Sequence, residues 1–170
     1  MKTLLCDFCL KSGMLCARCQ EKVRSGAITS LYMEVGRFLM DLEKEYPPLQ
    51  DVTLYNVVRE SGILALVVGR GEREKLLGSS GRIIRALGDK FNRRVMVLEK
   101  GVSSRSFLED LFSNMRILTI NTIWLPDGTT ETKVVLRRGR RSQRPSSKRL
   151  KALRQIAKIV GDINLRIEFA

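Results

Sequence analysis

The stretch Leu76-Leu77-Gly78-Ser79-Ser80-Gly81-Arg82-Ile83-Ile84 decides the fold of its region, because it places two glycines three residues apart between two short helical patterns. Glycine lets the backbone adopt positive φ angles and approach a ligand closely. A helix that begins after such a turn directs unpaired N–H groups at whatever lies in front of it. The stretch predicts a loop that holds an anionic chain, rather than a plain turn, since a turn alone does not require both glycines and the Ile83-Ile84 pair.

The surrounding sequence predicts alternating helices and strands. Apolar residues at three- and four-residue spacing from Ile28 predict a helix of about sixteen residues, which Pro47-Pro48 ends. Two strands follow at 52–59 and 63–68, joined by a turn that contains Gly62. We then expect a short helix at 72–77, the glycine loop, a helix at 82–91 and a strand at 94–98.

The second half of the chain repeats this plan. The pattern predicts a helix at 107–115, strands at 117–125 and 133–137, a helix at 148–160 and a last strand at 163–169. A shift of 67 residues, without insertion, superposes Val67-Val68 on Val134-Val135, Ser79-Ser80 on Ser146-Ser147, and Met96 on Ile163. We therefore predict two tandem copies of one module.

The loop of the second copy is degenerate. Pro145 and Lys148 stand where the first copy has Gly78 and Gly81. Proline lacks an N–H and lysine carries a Cβ, so the backbone can neither donate as well nor approach as closely. The preceding stretch 138–144 has no apolar stripe, which predicts an extended basic loop. In this copy, charged side chains would bind the anionic chain in place of the backbone N–H groups.

All four cysteines lie in the first twenty residues, as two Cys-x-x-Cys pairs: Cys6, Cys9, Cys16 and Cys19. This spacing predicts one structural Zn²⁺ ion held by four thiolates. Two disulfides or an iron–sulfur cluster would use the same residues, but disulfides do not suit the cytosol and the spacing differs from that of ferredoxins. Phe8, Lys11 and Arg18 would then contact either nucleic acid or a partner protein.

Charge is concentrated in the second half of the chain. The formal net charge is +13, and residues 101–170, with fourteen basic and six acidic side chains, account for +8. Residues 137–151 contain eight basic side chains and no acidic one. A solvated charge run is the ordinary interpretation of such a segment, but without acidic partners it repels itself, which favours contact with a polyanion.

The composition argues against several classes of protein. Histidine, the commonest general base, is absent from the sequence. Gly69 and Gly71 lack the third glycine of a dinucleotide fingerprint, and no Gly-Lys-Ser/Thr ends a phosphate loop. No apolar run reaches the ~18 residues that span a membrane, and no signal peptide is recognisable. We expect a soluble cytoplasmic protein that is not an enzyme and has neither a membrane partner nor a small-molecule substrate.

The order helix, strand, strand, helix, Gly-x-x-Gly, helix, strand resembles the type II KH domain, an RNA-binding module of prokaryotic proteins. Two such modules in tandem resemble the archaeal NusA-like proteins over about residues 27–170. The resemblance implies an α+β fold with a KH domain at 27–101 and a degenerate KH domain at 102–170, each a three-stranded sheet packed by helices. The cysteine spacing adds a zinc knuckle or ribbon at 1–26. It also implies binding of single-stranded RNA in transcription elongation or termination, with RNA polymerase as a partner.

The zinc unit departs from the shortest NusA-like proteins, which consist of the KH pair alone. Zinc ribbons are frequent on ribosomal proteins, so a factor that binds rRNA and the ribosomal subunit or assists its assembly is the alternative, and a protein-interaction adaptor is another. The resemblance and the charge pattern together predict an RNA-binding site on two segments. The residues are Lys75, Gly78, Ser79, Ser80, Gly81, Arg82, Ile83, Ile84, Arg85, Arg137, Arg138, Arg140, Arg141, Arg144, Lys148, Arg149 and Lys151.

Overall fold

Two small β-sheets with helices packed against them make up the fold. The structure is a computed structural model that describes residues 1–140 and 144–170. It confirms the expected α+β class. The chain divides into two units, Met1–Val58 with Leu64–Gly101 and Arg59–Ile63 with Val102–Ala170. Within the described residues, no helix combines the length and apolarity that crossing a bilayer requires.

The first part of the chain contains five helices, a 3-10 turn and a four-stranded sheet. In chain order the elements are β1 (Lys2–Thr3), α1 (Asp7–Ser12), α2 (Ala17–Arg24), α3 (Ser30–Leu42), a 3-10 helix (Pro47–Asp51), β2 (Thr53–Glu60), β3 (Ile63–Val68), α4 (Arg73–Leu77), α5 (Arg82–Phe91) and β4 (Arg94–Glu99). The strand order is β1-β2-β3-β4, and β1 runs parallel to β2. The predicted bounds of β3 and α5 agree with the structure, whereas α3 ends earlier than predicted.

The cysteine segment shares a core with the module that follows it. Cys9, Leu10 and Cys19 are buried in the same apolar cluster as Val35 and Leu39 of α3. Gly36 of α3 faces Leu10, since a Cβ at this position would be in van der Waals contact with both methyl groups of Leu10, at 3.4 Å. The first 26 residues are therefore packed into the first unit rather than held as a free-standing knuckle.

Tyr32 joins the N-terminal segment to the sheet. Its buried hydroxyl accepts a hydrogen bond from the Leu4 amide at 2.9 Å and donates one to the Leu54 carbonyl at 2.6 Å. Burial disfavours the charged phenolate and raises the pKa of Tyr32 from 10.0 to about 12. The neutral hydroxyl is thus the form that the folded state selects.

Tyr32→Phe will destabilise the protein at neutral pH by about 1–3 kcal/mol, because it leaves two buried backbone groups without partners. The stabilisation from Tyr32 is complete below its unfolded pKa and is lost as pH rises from 10.0 to about 12. The difference in unfolding free energy between wild type and Tyr32→Phe will therefore shrink by about 2 kcal/mol over that window. Urea titrations from pH 7 to 12 measure it, with the half-buried Tyr46→Phe as control. A difference that does not change with pH would contradict the assignment.

A carboxylate fixes the entry to α4. Glu72 Oε2 accepts hydrogen bonds from the Thr53 amide at 2.7 Å and the Gly69 amide at 2.9 Å. A Cβ on Gly69 would come within 2.6 Å of this carboxylate, so only glycine fits there. The start of β2 and the end of β3 are thereby joined to the residue that precedes α4, which positions the glycine loop.

The described residues of the second part of the chain form a smaller three-stranded sheet and two helices. The elements are α6 (Ser104–Leu111), β5 (Ile117–Trp124), β6 (Thr130–Leu136), α7 (Ser147–Gly161) and β7 (Leu165–Phe169). β5 is antiparallel to β6, and β6 is parallel to β7. Buried residues of α7, such as Leu153 and Ile156, supply the same core as Val134 and Ile167 of the sheet.

The two copies share the order of their main elements but not the ungapped spacing that we predicted. The β2–β3 turn has two residues between the strands, whereas five residues separate β5 from β6. Helix α5 has 10 residues and α7 has 15. The 67-residue shift holds for β3 and β6 and fails at the last strand, because the apolar stripe of α7 continues for another turn. In agreement with the prediction, the described residues between β6 and α7 contain no helix.

Candidate nucleic-acid interface and metal centre

The glycine loop connects α4 to α5 and depends on both glycines. A Cβ on Gly78 would lie 2.7 Å from the Glu74 carbonyl oxygen, a distance that no side chain tolerates. Gly81 has a left-handed φ of 68°, and Ser80 has a φ of 52°. Two consecutive left-handed residues turn the chain sharply, so α5 begins directly behind the loop.

The amide groups of the loop fall into two sets. The amides of Ser80 and Gly81 donate to the Gly78 and Leu77 carbonyls, at 2.7 and 3.3 Å. Over residues 1–140 and 144–170, no backbone or side-chain acceptor meets the amides of Ser79, Ile83 and Ile84. Open donors therefore lie at Ser79 and in the first turn of α5, whereas the tight turn uses the Ser80 amide internally.

The side chains around the loop differ in their exposure to solvent. Arg82, Arg85 and Ser80 are exposed, and Lys75, Ser79 and Ile84 are half-buried. Ile83 is 0% exposed and packs into the core with Leu87, one helical turn further on. Ile83 was predicted as an RNA-binding residue, but the whole residue, its backbone amide included, is enclosed, so this prediction is wrong. The helical repeat turns Ile84, not Ile83, towards the surface.

Helix α7 begins differently from α5. Ser146 precedes it in extended conformation, and its hydroxyl accepts a hydrogen bond from the Arg149 amide at 3.2 Å. This cap satisfies a donor that α5 leaves open. The two helices thus differ at their N-termini, since α7 has a side-chain cap and α5 has none.

The predicted basic residues of the second unit are mostly on the surface. Arg149 is half-buried, and Arg141 lies outside the described residues. The exposed ones are Arg137, Arg138, Arg140, Arg144, Lys148 and Lys151. Helix α7 adds Arg154 and Lys158, which the sequence analysis missed although they continue the spacing of Lys151 along one helix face. No acidic residue occurs within α7.

The four cysteines form one cluster. Their Sγ atoms all lie within 4.8 Å of one another, and the Cys6 and Cys19 sulfurs are 3.7 Å apart. Sulfurs around a tetrahedral metal with bonds of about 2.3 Å are separated by about 3.8 Å. The donor set and its spacing therefore fit a metal ion with four thiolate ligands, and a closed site of this kind has a structural role.

Each Cys-x-x-Cys pair begins a short helix. Cys6 and Cys16 occupy the N-cap positions of α1 and α2, while Cys9 and Cys19 lie in the first turns and are buried. The hydrogen bond from the Cys19 amide lowers the pKa of Cys16 to about 7. Contact between the Cys6 and Cys9 sulfurs, 2.9 Å apart, raises the pKa of Cys9 to about 12 and lowers that of Cys6. A metal binds the thiolate form of cysteine, so metal binding here would release protons and depend on pH.

Exposed apolar residues flank the metal centre. Phe8 of α1 is 65% exposed and Met14, just beyond α1, is 67% exposed. Lys11 and Arg18 are exposed as well. The surface that the sequence predicted for contact with nucleic acid or protein is therefore accessible at all three predicted residues.

Comparison with known proteins gives a fold and no family. No protein-family model matches the chain, and no curated protein is significantly similar to it. Among solved structures, the crystal structure of APE1850 is similar with a TM-score of 0.52 and 18% sequence identity, covering 79% of this chain and 96% of that chain. At this identity the likeness concerns the fold alone.

Proposed function

We propose that this protein binds single-stranded RNA through the loop Gly78–Gly81. The observation that carries the proposal is the uncapped start of α5, where the amide of Ile84, with that of Ser79, has no acceptor among the described residues. Open amides and the helix dipole favour a phosphate at this position. Arg82 and Arg85 flank it with positive charge and would hold neighbouring phosphates without reading sequence.

Side-chain charge in the second unit would supply further phosphate contacts. Lys148 and Lys151 lie in the first turns of α7, where cations oppose the helix dipole. Together with the exposed arginines after β6 they form a surface that a polyanion stabilises. Sequence-independent contacts of this type add affinity and make binding sensitive to salt.

Zn²⁺ is the metal that we propose for the cysteine centre. Cys6, Cys9, Cys16 and Cys19 would hold it, since four thiolates in tetrahedral arrangement are its usual structural ligands. The ion would hold α1 and α2 together against α3. It leaves no open coordination position, so we assign it no part in chemistry.

The resemblance to NusA-like proteins assigns this RNA binding to transcription elongation or termination. The metal centre favours a second candidate, a factor that binds rRNA during ribosome assembly. Crosslinking in cells and sequencing of the bound RNA separates the two. Nascent transcripts support the first role and rRNA the second, whereas little RNA of either kind would support an adaptor that binds proteins.

Binding in vitro tests the RNA proposal before any cellular role is assigned. We expect a single-stranded oligonucleotide to bind and a duplex of the same length to bind more weakly, because the loop clamps one strand. If the protein contacts about five phosphates, the slope of log K against log salt is about −3.5. Fluorescence anisotropy over a salt series measures both. Equal affinity for single strand and duplex, or binding that salt does not weaken, would contradict the proposal.

A further inference from the structure

Trp124 is an exposed aromatic residue on the last position of β5. It is 77% exposed, the highest value among the large apolar side chains. At about 25 cal/mol per Å² of apolar surface, an exposed indole forgoes several kcal/mol of stabilisation that burial would supply. The large apolar surface that Trp124 exposes to water suggests that a ligand covers this residue.

The hairpin holds Trp124 in a defined orientation. Trp124 pairs with Thr130 across β5 and β6. The turn beyond it is closed by hydrogen bonds from the Leu125 amide to Thr129 at 2.9 Å and from the Gly128 amide to Leu125 at 3.0 Å. The ring is therefore presented on a regular sheet rather than on a free loop, which lowers the entropy lost on binding.

The register gives the face of the sheet on which Trp124 lies. Directly opposed residues share a face of the sheet. Trp124 and Thr130 therefore lie on the same face as Val134, a buried residue four positions further along β6. Thr122 and Thr132, which pair with each other, lie on the same side. On this face the nearest neighbours of Trp124 in the register are thus threonines, and the apolar Ile120 and Val134 lie further along the strands.

Polar and basic groups border the same corner of the sheet. The Asn164 side-chain amide donates to the Thr130 carbonyl at 3.2 Å. Trp124 and Asn164 therefore lie on either side of Thr130. Since neighbouring strands are about 4.8 Å apart, the two residues are separated by about 10 Å. Asn164 lines a shallow depression together with Arg154 and Lys158 of α7. Lys158 pairs with Asp162, whereas Arg154 has no ion-pair partner among the described residues.

The acidic residues near this corner all have partners. The Glu131 carboxylate lines the depression but pairs with Arg166, and Glu168 pairs with Lys133 and Arg166 on the opposite face. Asp127 in the turn accepts hydrogen bonds from Thr129. An aromatic platform with hydroxyl groups and a free arginine is the combination that binds an unpaired base and its phosphate.

We propose that Trp124 is a second contact for single-stranded RNA, on which one base stacks while Arg154 contacts a neighbouring phosphate. For its class of ligand this inference rests on the proposed function. It differs in that the site lies wholly in the second unit and uses side chains instead of loop amides. A protein partner on the same residue is the competing outcome.

The tryptophan itself reports on the contact, because the chain contains one Trp. Stacking of a base on Trp124 will quench its emission when an oligouridylate of about ten nucleotides is added. An oligomer of the same length with abasic sugars keeps the phosphates and lacks the bases, so it will leave the emission unchanged. Equal quenching by both oligomers, or none by oligouridylate that anisotropy shows to be bound, would overturn the inference.

Substitutions test the contribution to affinity. Trp124→Ala will weaken binding of the oligouridylate by about 5- to 150-fold, the range for loss of one stacked base, and Trp124→Phe will retain most of it. Leu118→Ala, at a residue of the same strand that is 46% exposed, is the matched control and will bind like wild type. A Trp124→Ala protein within twofold of wild type would refute the contact and leave a protein partner as the explanation of the exposed ring.

The inference and the proposed function can fail separately. In a protein with Ser79→Asp and Ser80→Asp, oligouridylate at higher concentration will still quench Trp124, because the second unit is unchanged. If that variant shows quenching and binds with undiminished affinity, the loop is not an RNA contact and the proposed contact at Trp124 stands. If that variant loses affinity and wild type shows no quenching, Trp124 is not an RNA contact and the proposed contact at the loop stands.

Discussion

Aspartate in place of both Ser79 and Ser80 will weaken the binding of single-stranded RNA by roughly 30-fold or more. The two carboxylates would lie beside the open amides of Ser79 and Ile84, where the phosphate is proposed to bind. They repel the phosphate and compete for the same donors. Titration of labelled RNA by anisotropy measures the loss.

The same substitutions will not destabilise the protein. Ser80 is exposed, and aspartate tolerates its left-handed φ of 52° better than most residues. Negative charge before α5 also favours the helix dipole. Ser103→Asp with Ser104→Asp is the matched control, since it places the same charge on exposed serines at the start of α6. An unchanged affinity in the loop variant, or an equal loss in the control, would contradict the assignment.

Removal of the metal will have the largest effect on stability. Structural zinc in small domains contributes an apparent ~10–16 kcal/mol, as much as the whole stability of a typical domain. Cys9 and Cys19 share a core with Val35 and Leu39, so loss of the ion will disturb α3 as well as the cysteine segment. Chelation, or Cys9→Ser, will lower the melting temperature and reduce helical circular dichroism.

Leu10→Ala separates loss of the metal from loss of packing. Leu10 is 0% exposed and lies against α3, so its truncation will cost about 2–5 kcal/mol while the four thiols remain. Metal analysis will find one zinc ion per chain in wild type and in Leu10→Ala, and none in Cys9→Ser. A chelated protein that melts at the wild-type temperature would show that the cysteines are not a metal centre.

The sequence predicted local elements well where one strong signal fixed both ends. β3 is a continuous apolar run bounded by glycines, and α5 begins after Gly81 and ends before Asn92, so both were predicted at their observed bounds. The cysteine spacing likewise predicted that four sulfurs meet. These signals act over a few residues and do not depend on the rest of the fold.

Features that depend on tertiary packing could not be predicted in this way. The sequence did not show that α3 covers the cysteine segment, because the contact of Leu10 with Gly36 joins residues far apart in the chain. It did not show that Ile83, rather than Ile84, faces the core, or that Trp124 extends beyond the helices that cover its sheet. An alternating strand pattern gives two faces but not the extent to which each is covered.

An RNA titration followed by ¹H–¹⁵N correlation NMR of the loop amides tests the central claim most directly. The amides of Ser79 and Ile84 are the open donors of the loop, so their resonances should shift most strongly when a single-stranded oligonucleotide is added. The capped amide of Arg149 at the start of α7 is the internal reference and should shift less. Bound RNA that leaves these two loop amides unperturbed would contradict the account.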